Sequence, residues 1–149
     1  MKIDILCISD SDKHFASAVA EYMKRLSKSV EIHDIKPYRH DNPAFVITKE
    51  TQQIQEILQK KFTQHYKILL SKSGKDLKTE DLGLLCSKNP NIVFIIWWPY
   101  GLDELQLQPI INTSISFGKI TMPHGLAKVV LLEQIYRIQA IQWGKSYHY

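Results

Sequence analysis

The last long apolar segment of the chain carries a charged pair, Glu133 and Arg137, four residues apart. Residues at this spacing lie on the same face of a helix, and charges in apolar surroundings are costly unless they are paired. The pattern has two interpretations. It is either a structural ion pair, for example at a subunit contact, or a site where Glu133 orients the guanidinium fork of Arg137 toward an anionic ligand.

Two further segments have residue types that suit a nucleic acid. The chain ends in Tyr147-His148-Tyr149, and such a tail either stacks on a base or docks against its own domain. Residues 60–78 contain six lysines and one acid, which fits either phosphate contacts or a solvated helix and loop. Within this segment, Ser73-Gly74-Lys75 is either a surface turn or a fragment of a phosphate loop. The formal net charge of +4 suits RNA but also many ordinary enzymes.

Several common cofactor and metal sites are not expected from the sequence. It contains neither GxGxxG nor GxxxxGK[ST], the patterns of dinucleotide and P-loop sites. Cys7 and Cys86 have no paired spacing, which predicts a reduced, cytoplasmic protein without a disulfide or zinc framework. Four histidines lack a partner at metal-ligand spacing, so we expect surface or packing roles for them and no metal: His14, His33, His40 and His65.

Strand and helix patterns alternate along the chain. Strands are predicted at 2–9, 30–35, 66–70, 92–98 and 114–121. Helices are predicted from a cap at Ser11 or Asp12 to Leu26, and at 47–62, 79–89, 102–111 and 126–142. Loops are expected at 37–43, 71–75, 97–101 and 121–125.

These elements predict one α/β domain over residues 1–149, with a mostly parallel sheet and helices on both faces. Segment 92–98 is apolar at every position, as in a central parallel strand. Ligands bind beyond the carboxyl ends of such strands, so the site should lie where loops 71–75, 97–101 and 121–125 meet. The longest apolar run has seven residues, against roughly 20 for a bilayer crossing. No membrane partner is therefore expected, and because the opening segment lacks the uncharged core of a signal peptide, secretion is not expected either.

Three segments carry a resemblance to a known family. They are Thr121-Met122-Pro123-His124-Gly125-Leu126 with the helix that follows to Arg137, the terminal Tyr147-His148, and Leu69-Leu70-Ser71 followed by Gly74-Lys75. The last of these stands where the family has Leu-Asp and then Gly-Lys. On these residues, and on its length, the chain resembles the bacterial 23S rRNA (pseudouridine-N3)-methyltransferases of the SPOUT superfamily.

The resemblance implies an α/β fold with a deep trefoil knot in its C-terminal part, and a homodimer. It also implies binding of S-adenosyl-L-methionine in the knotted loops and methylation of N3 of a pseudouridine in 23S rRNA in the ribosome. The tail then faces the substrate near the partner subunit's cofactor, with His148, Arg137 and Tyr147 as catalytic candidates and Lys128 as a further RNA contact. The implied cofactor-binding residues are Leu70, Ile96, Trp97, Gly101, Ile120, Thr121, Met122, His124 and Leu126.

The chain departs from the family pattern at two places. Trp97-Trp98-Pro99-Tyr100-Gly101 stands where the family has Gly-Gly-Pro-x-Gly, and the basic residue that follows Tyr-His in the family is missing. Two indoles replace glycines that allow the main chain to approach a cofactor closely, so we expect cofactor binding to be retained but weakened. The alternative is a knotted protein that binds RNA or the ribosome and whose cofactor pocket is obstructed.

Overall fold

The computed structural model describes residues 1–8, 13–26, 28–97 and 101–147. The strands are β1 (Lys2–Ile8), β2 (Val30–Ile35), β3 (Tyr66–Asp76), β4 (Asn91–Ile96) and β5 (Thr113–Ser116). The helices are α1 (Ala16–Arg25), α2 (Pro43–Lys61), α3 (Thr79–Ser87), α4 (Glu104–Leu107) and α5 (His124–Gln142). None of these described helices is both long enough and apolar enough to cross a bilayer. The predicted caps Ser11 and Asp12 lie outside the described residues.

The five strands form one sheet in the order β2-β1-β4-β3-β5, and each described pair is parallel. β4 is central and pairs with both β1 and β3, which confirms the prediction from its apolar sequence. Ile95 lies opposite Leu6 on one side and Leu69 on the other. β1 and β4 therefore end at a common edge of the sheet, beside Leu70 in the middle of β3.

Helices cover both faces of the sheet, as predicted. On one face Phe94 packs with residues of α1, α3 and α5, and Leu131 and Ile135 of α5 are 0–1% exposed. On the other face Ile95 packs with Ile54 of α2 and with the short α4. Burying one such aliphatic side chain completely stabilises the fold by about 1.5–3 kcal/mol. The two apolar layers thus hold β4 between them.

Segment 71–75 is a strand and not the predicted loop. β3 continues to Asp76 through an irregularity, so that Ile115 of β5 pairs with both Leu70 and Lys75. A β-carbon on Gly74 would lie 2.5 Å from the Ile115 carbonyl carbon, so only glycine fits this approach. Gly74 is therefore needed for strand packing, and neither the surface turn nor the phosphate loop describes it.

Other element bounds also differ from the predictions. α2 begins at Pro43 instead of 47, because the Asn42 side chain accepts a hydrogen bond from the Ala44 amide and proline suits the first helical turn. The predicted helix 102–111 is reduced to the single turn α4, and β5 ends at Ser116 instead of 121. Residues 117–123, between the end of β5 and the start of α5, form a loop.

Candidate functional site

A cavity of about 450 Å³ opens at the carboxyl edge of the sheet. It is lined by residues 70–73 in the middle of β3, the end of β4, the loop at Gly101, the loop after β5 and the first turn of α5. The three predicted segments 71–75, 97–101 and 121–125 each contribute, which is the placement expected for a ligand site in an open parallel sheet.

The cavity brings together most of the residues that the family resemblance singled out. Eight of the nine cofactor candidates line it: Leu70, Ile96, Trp97, Gly101, Ile120, Thr121, Met122 and His124. Leu126 is partly buried in the first turn of α5 and is not among the lining residues.

One side of the cavity is polar, and this was hard to predict from the sequence. The carboxylate of Glu104 accepts hydrogen bonds from the hydroxyls of Ser71 at 2.7 Å and Ser73 at 3.2 Å. Across the opening, the Lys72 ammonium donates to the Thr121 hydroxyl. Where the family has Leu-Asp, the segment ending at Ser71 has no acid, and Glu104 supplies a carboxylate there from α4. The only signal was the acidic Asp103-Glu104 pair just after Gly101.

Trp97 forms part of the cavity wall and leaves the cavity open. It packs against the apolar cluster beneath α2 while also lining the cavity. Its indole nitrogen lies 3.0 Å from the point where a β-carbon on Gly101 would stand, and Gly101 has a φ of +87°. The positive φ favours glycine at 101, and a β-carbon there would also require the Trp97 indole to shift slightly. The adjoining Trp98, Pro99 and Tyr100 lie outside the described residues.

A second group of candidates surrounds the far end of α5. Arg137 donates to Glu133 Oε1 from Nη2 at 2.6 Å and from Nε at 2.9 Å, and these bonds raise the pKa of Arg137. Nη1 donates to the Tyr147 carbonyl at 3.2 Å, and the guanidinium lies 4.7 Å from the Tyr147 ring centroid. The Tyr147 ring in turn meets the edge of Tyr136. His148 and Tyr149 lie outside the described residues.

The two groups of residues lie far apart within one chain. His124 begins α5 at the cavity, and Arg137 is in its second half. At 1.5 Å of rise per residue, the two positions are about 20 Å apart along the helix axis. A single chain therefore does not bring Arg137 and Tyr147 to the cavity.

Two lysines considered for RNA contact are buried. The Lys128 ammonium pairs with Asp34 at 2.9 Å, and the residue is 8% exposed, so the structure gives no support to its predicted role as an RNA contact. The Lys67 ammonium donates to the carbonyls of His65 and Thr63, and burial lowers the pKa of Lys67. The other lysines of segment 60–78 are exposed: Lys60, Lys61, Lys72, Lys75 and Lys78.

The parallel sheet, with a cavity at one edge and in front of the last helix, defines an α/β protein of the open-sheet class, in which ligands bind at this edge. The chain belongs to the SPOUT methyltransferase family, because the family model described as predicted SPOUT methyltransferase matches residues 1–148. Members of this family are threaded through a trefoil knot, an exception to the rule that chains are unknotted. Membership also implies a methyl donor.

Individual relatives cover almost the whole chain. A ribosomal RNA large subunit methyltransferase H from Streptococcus uberis is 33% identical over 159 aligned positions, with 99% of each chain covered. The protein of the same name from Leuconostoc citreum is 32% identical with the same coverage. A solved structure of a candidate RNA methyltransferase from Bacillus anthracis superposes with a TM-score of 0.61 over 99% of each chain, at 12% identity. It shares the fold.

Proposed function

We propose that this protein transfers a methyl group from S-adenosylmethionine to N3 of a pseudouridine in 23S rRNA. The observation that carries the proposal is the cavity, because it gathers eight of the nine family cofactor positions at the carboxyl edge of the sheet. The rRNA substrate is suggested by relatives named as large subunit rRNA methyltransferases. A ribosomal substrate would place the protein in the cytoplasm.

The chemistry of the cavity fits this methyl donor. Its volume lies within the range of small-molecule sites, roughly 300–1,000 Å³. Leu70, Ile96 and Ile115 provide apolar walls for a flat base. Glu104 offers carboxylate oxygens to hydroxyl or ammonium groups, and the positive end of the 19-residue α5 favours a carboxylate. S-adenosylmethionine carries a flat base, hydroxyl groups, an ammonium group and a carboxylate. It supplies an electrophilic methyl group on a sulfonium.

The chain's own part in the reaction is to position the base and remove its proton. Pseudouridine N3 is a weakly acidic imide nitrogen, so methylation requires loss of the N3 proton and close alignment with the methyl group. We assign to His148 the task of orienting or deprotonating the ring. Arg137 stacks on Tyr147 and bonds its carbonyl, which anchors the chain just before His148.

The distance between tail and cavity favours a homodimer. About 20 Å of helix separates Arg137 from His124, so the tail of one chain must serve the cavity of another. Val129 and Val130 in the first half of α5 are still partly exposed in the single chain, and a second subunit would cover such apolar surface. We propose a homodimer with two sites, each built from both chains.

The test is methyl transfer from labelled S-adenosylmethionine to ribosomes of a strain that lacks its own enzyme for this position. The expected product is one N3-methylpseudouridine in 23S rRNA, detected by mass spectrometry of nuclease fragments. The comparison variant is Gly101→Val, which should disrupt the cavity because a β-branched residue is strained at this positive φ and its side chain would displace the Trp97 indole from the cavity wall. Donor binding that is undetectable by calorimetry at millimolar concentration, with RNA binding intact, would instead favour the RNA-binding alternative.

A further inference from the structure

A second cluster of chemically capable side chains lies at the amino edge of the sheet, opposite the cavity. Asp4 is the third residue of β1 and is only 1% exposed. It lies beside Glu31 in the register of β1 and β2. His33 follows two residues later in β2, so all three side chains share one face of the sheet.

The donor atoms of this cluster lie close together. Asp4 Oδ1 and His33 Nε2 are 2.7 Å apart. One ligand atom from each of Asp4, Glu31 and His33 falls within 4.8 Å of the other two. His33 is about one-third exposed and Glu31 is exposed, so the cluster opens to solvent on one side.

A supporting group holds the buried carboxylate in place. His65 Nε2 donates to the second oxygen of Asp4 at 3.0 Å. His65 itself is fixed, because Lys67 donates to its carbonyl at 3.0 Å and Phe62 meets the edges of the His65 and His33 rings. Carboxylates that bind metals are typically oriented by such hydrogen bonds from outside the ligand set.

The charge of the cluster also points to a cation. The two carboxylates carry a formal charge of −2, and Asp4 is buried, where a charge is costly unless it is offset; its partners are the imidazoles of His33 and His65. Among the described residues, the nearby Lys67 ammonium is directed at the carbonyls of His65 and Thr63 instead. A divalent cation would offset both charges.

We propose that Asp4, Glu31 and His33 bind one Zn²⁺ ion, with His65 as a positioning residue. Imidazole nitrogen and carboxylate oxygen are ligands of zinc at about 2.0–2.2 Å, and three protein ligands leave a position for water. The ion binds the neutral imidazole of His33 at Nε2, with the single ring proton on Nδ1, and it takes the place of the hydrogen bond between His33 Nε2 and Asp4 Oδ1; any proton displaced goes to solvent. The site joins β1 to the edge strand β2 and is independent of methyl transfer.

The experiment is calorimetric titration of zinc chloride into the untagged full-length protein after treatment with a chelator. We expect one ion per chain, with Kd of about 1 μM or tighter. His33→Gln and Glu31→Gln should each abolish saturable binding. These side chains are partly or fully exposed, so both variants should fold, as checked by circular dichroism. His14→Gln, an exposed histidine elsewhere, is the matched control and should bind as the wild type does.

A second readout separates positioning from simple structural support. His65→Gln should weaken zinc binding by about 10-fold to 100-fold and alter the visible absorption of the Co²⁺-loaded protein, while leaving its unfolding curve in chelator close to that of the wild type. No saturable zinc binding by the wild type would overturn the proposal. So would equal binding by His33→Gln, or unchanged affinity and Co²⁺ spectrum in His65→Gln.

Discussion

The guanidinium of Arg137 lies over the ring of Tyr147 and donates a hydrogen bond to the Tyr147 carbonyl at 3.2 Å. The same guanidinium donates two hydrogen bonds to Glu133 Oε1. Glu133 and Arg137 thus form the ion pair of the first interpretation, within one chain, and Arg137 also fixes Tyr147 at the start of the C-terminal tail. The anionic ligand of the second interpretation stays a prediction. This arrangement makes α5 the link between the cavity and the tail.

We predict that removing residues 147–149 abolishes methyl transfer without impairing donor binding. The tail lies about 20 Å along α5 from the cavity, so the cavity of the same chain should stay intact. Calorimetry with S-adenosylmethionine and light scattering should match those of the full chain, whereas methyl transfer should fall below detection. Full turnover by the truncated protein would remove His148 from the mechanism.

Glu104→Gln should weaken binding of S-adenosylmethionine by about 10-fold to 100-fold, since hydrogen bonds to a charged group contribute about 1.5–3 kcal/mol. The amide keeps the shape of the side chain and one acceptor for Ser71 or Ser73. Calorimetry measures the change, with Glu56→Gln, an exposed acid on α2, as the control. Equal affinity in the two variants would mean that Glu104 does not meet the donor.

RNA affinity should fall as salt rises, and exposed lysines should account for the effect. Replacing Lys75 by Gln is expected to reduce the slope of log K against log salt by about 1. Lys67→Met is the comparison, because the Lys67 ammonium is turned toward backbone carbonyls and away from solvent. Filter binding across a salt series checks this, and identical slopes for the two variants would contradict it.

The free energy of unfolding should decline above pH 9. Burial raises the pKa of Cys7 from 9.0 to about 12, and burial does the same for Cys86. Between these values the unfolded thiols lose protons that the folded ones keep, so stability falls with rising pH by up to about 1.4 kcal/mol per unit for each thiol. Urea unfolding at pH 8 and pH 10.5 measures the decline. In the double variant Cys7→Ala with Cys86→Ala, the free energy of unfolding should decline less steeply with pH. The same decline in the variant and the wild type would show that the thiols do not cause it.

The sequence predicted the fold well where a pattern is local. The apolar run before Trp97 identified the central strand, and turn-forming residues located two of the predicted loops that line the cavity, 97–101 and 121–125. The prediction of a loop at 71–75 was wrong. Ser-Gly-Lys has the composition of a turn, but Gly74 is needed because its main chain packs against the backbone of Ile115 in β5, which is distant in sequence. Local composition carries no information about such a neighbour.

In the candidate site, too, residues in local motifs could be predicted and residues brought in by long-range contacts could not. Motif residues such as Leu70 and His124 could be named in advance, whereas Glu104 becomes part of the cavity only because α4 folds back onto Ser71. His33 and His65 had no partner at metal-ligand spacing, yet both reach Asp4 from different parts of the chain. Contacts between residues 29 to 61 positions apart depend on strand order, which periodicity does not give.

The most direct test of the account is methyl transfer by mixed dimers. Gly101→Val chains, which lack a usable cavity, are co-expressed with chains that lack residues 147–149, and the dimers are assayed on ribosomes. Neither variant should act alone. Random pairing makes half of the dimers mixed, each with one intact site, so the mixture should recover about a quarter of wild-type activity per chain. A mixture as inactive as its components, although both fold and pair, would contradict a site built from the cavity of one chain and the tail of the other.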